Sequence, residues 1–240
     1  NFSFKDIIKI LQEKEGMAYT IIHQVRIPRI LLAISVGGAL SLSGVILQGI
    51  YRNPLVEPYT MGISGGAALG VSLAIVLGLN NLIGSYSIPI FGFIGSLASV
   101  FFVYFVSIKN FSINITRMLL IGVMISFIAS SGMMFLMSIA SSDNLHSIVF
   151  WMMGSLDHTD YFLVKIVSFI SLFGLIAVYL FVNHLNALRL GISNAKHLGV
   201  NTSRSIQILF LITSLLTGVS VSIVGVIGFV GLIIPHLLRI

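Results

Sequence analysis

The chain has 240 residues, 57% of them hydrophobic and 8% charged, and its 13 Lys and Arg against 7 Asp and Glu give a formal net charge of +6. A soluble domain carries about 25% charged residues, so this chain cannot cover a water-facing surface and reads as an all-α, polytopic transmembrane helical bundle, one domain over 1–240. The absence of cysteine excludes disulfides, thiolate chemistry and Cys-ligated metal sites.

In chain order, residues 1–15 set Phe4, Ile7, Ile8 and Leu11 at helical spacing among Lys5, Asp6, Lys9 and Glu13. That pattern predicts an amphipathic interfacial helix within an external segment, 1–25. The interspersed acids and lysines exclude a signal peptide. Apolar runs long enough to cross a bilayer follow near 28–50, 58–79, 86–107, 117–141, 161–183 and 206–225. A seventh run, 226–240, ends with the chain, and a short helix is expected at 143–153. Starting without Met and stopping at HLLRI, the chain is expected to be an incomplete piece of a longer protein. Small residues inside the spans, as in GGALSLSG and GISGGAALG, predict close helix packing.

Orientation follows the Lys and Arg of short loops. The loops near 51–57, 108–117 and 184–205 carry Arg52, Lys109, Arg117, Arg189, Lys196 and Arg204, whereas those at 80–87 and 142–160 carry Asp143, Asp157 and Asp160 and no Lys or Arg. The first set is therefore expected in the cytoplasm. Arg26 and Arg29 then lie outside, against the positive-inside trend. On the residues alone, they either snorkel to lipid headgroups or offer cations to an acidic partner.

Three stretches stand out. LQGIYRNPLVEPYTMGISGGAALG, 47–70, joins an inner turn to a helix opened by Pro58. In LRLGISNAKHLGVNTSRSI, 188–206, Gly191 and Gly199 bracket about two helical turns that could lie in a partner's groove, or form a plain solvated loop. GVIGFVGLIIPHLLR, 225–239, spaces three glycines by three before Pro235, which suggests either a broken helix of the kind found on transport pathways or close packing.

The chain has no P-loop, no H-E-x-x-H and no G-x-S-x-G. Its histidines, at 23, 146, 158, 184, 197 and 236, form no i, i+4 pair, so no metal site and no catalytic residue is predicted. No carboxylate falls at the middle of a span, as ion-coupled carriers require. Energy for transport is expected from outside the chain, with no cofactor bound.

These stretches together resemble the FecCD family of ABC importer permeases, the type II importers of iron-siderophores, haem and vitamin B12. The residues that carry the resemblance are R-I-P-R at 26–29, G-x-x-L-S-L-S-G-x-x-L-Q at 37–48, R-N-P-L-x-E-P at 52–58 and G-I-S-G-G-A at 62–67. W-M-M-G-S at 151–155, L-G-x-x-x-A-x-x-L-G-V at 190–200 and G-F-V-G-L-I-I-P-H-L-L-R at 228–239 follow in the family's order. The resemblance implies a ten-helix subunit, working as a homodimer or with a paralogue. Two cytoplasmic ATPase subunits and an external substrate-binding protein, with no nucleic acid, would complete the importer. Six full spans here would be the family's second to seventh, with the eighth partial.

By the same resemblance Arg26 and Arg29 dock acidic residues of the binding protein. The 184–205 loop couples to the ATPase through Gly191, Ala195, Leu198 and Gly199; Ala195 is expected to seat in the partner's groove. Ile192 replaces an acid frequent in the family. Ile115 and Thr116 align with a cytoplasmic gate where small hydroxyl residues are usual, which Thr116 fits and Ile115 does not. Ser126, Ser130 and Met134 are expected to line the pathway. The expected cargo is an iron(III)-siderophore-type chelate, with haem or cobalamin as alternatives. A secondary transporter or channel is a more distant alternative that lacks its coupling carboxylates or charged ring.

Overall fold

The computed structural model describes residues 15–79, 84–109, 112–157 and 160–238. The first helix, α1, runs Gly16–Tyr51, 36 residues. Its start widens into a π-helical stretch, Ile21–Arg26. Pro28, two residues on, has no N–H and crowds the carbonyl one turn back, and a widened turn accommodates that clash. Residues 16–25 are thus a continuation of the first span rather than part of a separate interfacial element. The amphipathic helix expected over 1–15 lies outside the described residues apart from Glu15.

The expected span at 58–79 is not one helix. Pro58 opens a 3₁₀ turn, Pro58–Met61, which Gly62 breaks at φ +79°, and α2 then covers Ile63–Val76. Fourteen residues rise about 21 Å, less than the roughly 30 Å of a hydrocarbon core. Next come α3, Ser87–Ser107, and a hairpin of β1, Ile108–Lys109, and β2, Ser112–Ile113. Helix α4 is Ile115–Ile139, with Arg117 N donating to the Asn114 side chain at its N-cap. The short α5, Ser142–Met153, forms where the 143–153 pattern predicts it. Helix α6, Tyr161–Leu180, kinks at Phe181 into α7, Val182–Arg189. Helix α8 is Ile192–His197, α9 is Thr202–Val224 and α10 is Val230–Leu237. Five of these helices (α1, α3, α4, α6 and α9) are long and apolar enough to cross a membrane, by length and composition.

Helix α9 is the most enclosed of the five and α4 the least. Near one end of the bundle α9 sets Val219 and Ile223 against Leu32, Val36 and Leu40 of α1 and Val164 of α6. Farther along, Phe210 meets Leu47 of α1, Met61, Val100 and Val103 of α3, and Met118 of α4. Glycine brings α2 and α3 together: a methyl group on Gly95 would fall 2.2 Å from the Gly66 carbonyl oxygen. In the GISGGAALG stretch, glycine serves packing.

Candidate functional site

The break between α9 and α10 is held from three sides. Gly225, at φ +74°, ends α9, and Phe229 takes φ +67° before α10. A methyl group on Gly225 would sit 2.2 Å from the Trp151 carbonyl oxygen, so α5 closes over the break. Tyr59 donates its hydroxyl to the Ile227 carbonyl at 2.7 Å and accepts from the Ile227 N–H at 3.2 Å. The Glu57 carboxyl accepts from the Phe229 N–H; burial pushes Glu57 above the ordinary glutamate range and that hydrogen bond pulls it partly back. Within α10, Pro235 has no N–H for the Gly231 carbonyl one turn earlier. Gln48 of α1, buried, directs Nε2 at the Gly231 and Leu232 carbonyl oxygens from 3.4 Å.

One end of the bundle, here the arginine end, gathers the start of α1 with the segments before α3 and α6. Arg26 and Arg29 are both exposed. Arg29 Nη2 donates to Asp157 Oδ1, forming an ion pair within the chain. Tyr161 donates its hydroxyl to the His23 carbonyl, and the His23 ring stacks on Tyr19 at 5.3 Å. Tyr86 donates to Asp160 at 2.8 Å, and the Asp160 side chain also caps α6 by accepting from Phe162 N.

The opposite end, the turn end, carries Arg52 and α8. Arg52 closes α1 in the left-handed region, φ +51°. Its guanidinium lies over Gly191, where a methyl group would be 3.1 Å from Nη1. Gly191 at φ +111° and Gly199 at φ +79° set α8 apart from the chain on either side. Ala195 is fully buried, packed with Leu188, Ile206 and Leu209 of its own bundle. That differs from its expected orientation: the side chain points into its own bundle and anchors α8. Leu198 is 63% exposed and Leu190 61%, so the outward apolar side chains are these two leucines.

The two residues expected at the gate divide in the same way. Ile115 packs against the cluster that holds Ala195, while Thr116 is exposed on the first turn of α4. Along α4, Ser126 is half-buried, bonded to the Gly122 carbonyl and facing Gly65 of α2. Ser130 is half-buried and Met134 exposed. These three share a stripe, but its neighbours Met124, Phe127 and Ile128 make the exposed surface of α4 mainly apolar. Sequence reasoning missed the partners: Asp157 for Arg29, and Tyr59 and Gln48 for the break. A polar residue conspicuous in an apolar run, such as Gln48, was the available signal.

A bundle of apolar helices with a polar face at each end defines a polytopic α-helical membrane protein. The model of the FecCD transport family matches residues 1–240, and the chain belongs to that family. It is 40% identical over 217 residues to the hemin transport system permease protein HmuU of Yersinia pestis, covering 90% of this chain and 65% of that protein. With the molybdate import system permease protein MolB of Haemophilus influenzae it shares 41% identity, covering 95% of this chain and 66% of that one. The cobalamin import system permease protein BtuC of Halobacterium salinarum is 34% identical, with 93% and 59% covered. A solved chain described as an inward-facing, metal-chelate type ABC transporter superposes with a TM-score of 0.84 at 36% identity. That match covers 92% of this chain and 69% of the other. The chain spans about two thirds of the length of the curated relatives it matches.

Proposed function

We propose that the protein is the permease subunit of an ATP-binding-cassette importer, carrying an iron(III)-siderophore-type chelate. It works with a second permease copy or a paralogue. Two ATPase subunits bind at the turn end, which faces the cytoplasm, and a substrate-binding protein docks at the arginine end. ATP is hydrolysed on the ATPase, not on this chain.

The observation that carries the reading is α8: a six-residue helix fixed to the bundle by buried Ala195, with the flanking Leu190 and Leu198 exposed. A short surface helix flanked by two exposed leucines, Leu190 just before the Gly191 hinge and Leu198 just inside Gly199, fits a groove on a soluble partner. Arg26 and Arg29, at the other end, suit an acidic partner there. Between them, Ser126, Ser130 and Met134 of α4 line the pathway, and Thr116 closes it on the cytoplasmic side. An apolar, Met-containing wall without strong binding points suits a bulky amphipathic chelate that must leave again.

The test is uptake by proteoliposomes that hold the whole importer. ATP-dependent accumulation of a radiolabelled hydroxamate or catecholate Fe(III) chelate supports the reading. Accumulation of haem, cobalamin or molybdate without the iron chelate overturns the cargo but not the transport class. Uptake indifferent to ATP overturns both.

A further inference from the structure

We propose, resting on the docking role of Arg29, that Asp157 stands in for the binding protein's carboxylate when that partner is absent, and that docking displaces it. Arg29 and Asp157 are paired, with their side chains 49% and 72% exposed. An ion pair this open is worth little on its own and exchanges readily for another carboxylate. A partner's acid therefore meets a guanidinium that is already engaged.

What distinguishes Asp157 from a chance surface pair is how it is held. Ser155 Oγ donates to Asp157 Oδ2 at 3.1 Å and accepts from the Asp157 N–H at 3.0 Å. The Ser155 N–H donates to the Val224 carbonyl at 2.8 Å, in the last turn of α9. Gly154 is equally confined: a methyl group there would lie 2.7 Å from the Val226 carbonyl oxygen. Segment 154–157 is thus fastened at one end to the α9–α10 break and at the other to Arg29. Between these anchors Leu156 packs, partly buried, on the cluster of Leu32 and Val164. Pulling Asp157 off Arg29 frees the outer anchor of a segment seated on that break.

The sequence has no cysteine, so Leu156→Cys adds one thiol to it, and labelling in the assembled importer is read on the separated permease band against the parent. Its reaction with a membrane-impermeant maleimide is expected to be slow, and to quicken several-fold when Asp157→Asn or Arg29→Gln is added without any partner. Asp143→Asn, which removes an acid from α5 outside this segment, should leave it slow. Adding the binding protein to the Leu156→Cys importer should also quicken labelling, since the segment lifts. Asp157→Asn should tighten docking by about two- to fivefold, the worth of one exposed pair. A thiol that is fully reactive from the start, or is unaffected by Asp157→Asn, or is shielded by the binding protein, overturns the displacement. Docking unaffected by Arg29→Glu overturns instead the docking role of Arg29.

Discussion

Two glycines of α1 lie seven residues apart and differ in what a methyl group would meet. At Gly37 nothing lies within 4 Å; at Gly44 the Gly231 carbonyl oxygen would be 1.8 Å away. Gly37→Ala is therefore expected to be neutral or to stabilise by about 0.5–1 kcal/mol, the backbone entropy saved in a helix. Gly44→Ala must push α10 off α1, at a cost of about 1–3 kcal/mol or more. Melting in detergent, followed through the single tryptophan, Trp151, separates the two. Glu57 adds a pH dependence. Its carboxyl is raised by burial in the folded protein, so its contribution is present below the unfolded glutamate range and is lost as pH climbs through the folded value. Glu57→Gln keeps an acceptor for the Phe229 N–H without a charge to bury. It should raise the melting temperature at neutral pH and leave it unchanged in acid. An unchanged melting temperature at both pH values would contradict this account of the turn. The Gly44 contact could be read from sequence only as a tendency to close packing; which glycine meets which carbonyl depends on the crossing of α1 and α10, which are far apart in sequence.

Helix α8 shows where an element was legible and where its orientation was not. Two glycines flanking a two-turn segment located it, and Gly191 and Gly199 do adopt positive φ there. Ala195 and Leu198 were both expected to couple to the ATPase. The structure separates them, Ala195 inward and Leu198 outward. A helix held between its own bundle and a partner has two apolar surfaces, and a six-residue pattern does not say which is which. The consequence reverses the simplest expectation for a bulky residue at 195. Ala195→Trp should damage the bundle, losing about 1–3 kcal/mol, whereas Leu198→Glu should fold as the parent does. Thermal melting of the two purified variants checks this; equal stability would contradict the anchoring role of Ala195. Helix α2 failed in the opposite way: an unbroken apolar run, 58–79, hid the 3₁₀ turn and the Gly62 kink because hydropathy is blind to φ.

Across the whole molecule, charge asymmetry between loops divides the two ends, and the structure gathers those loops at opposite ends. The pairing of Arg29 with Asp157 joins residues 128 apart, a separation no local pattern reaches. The cargo was not legible: Ser126, Ser130 and Met134, the residues proposed for the pathway, include no metal-ligating or charged group, and the exposed face of α4 around them is mainly apolar. The central claim is that each end serves its own partner, and one paired co-purification tests it. Arg29→Glu and Leu198→Glu permeases are each captured with the ATPase and with the binding protein, at low and high salt. The account predicts that Arg29→Glu loses the binding protein and keeps the ATPase. Leu198→Glu should lose the ATPase and keep the binding protein, whose docking in the parent weakens with salt because exposed charge pairs are screened. Retention of both partners by either variant, or loss of the same partner from both, contradicts it.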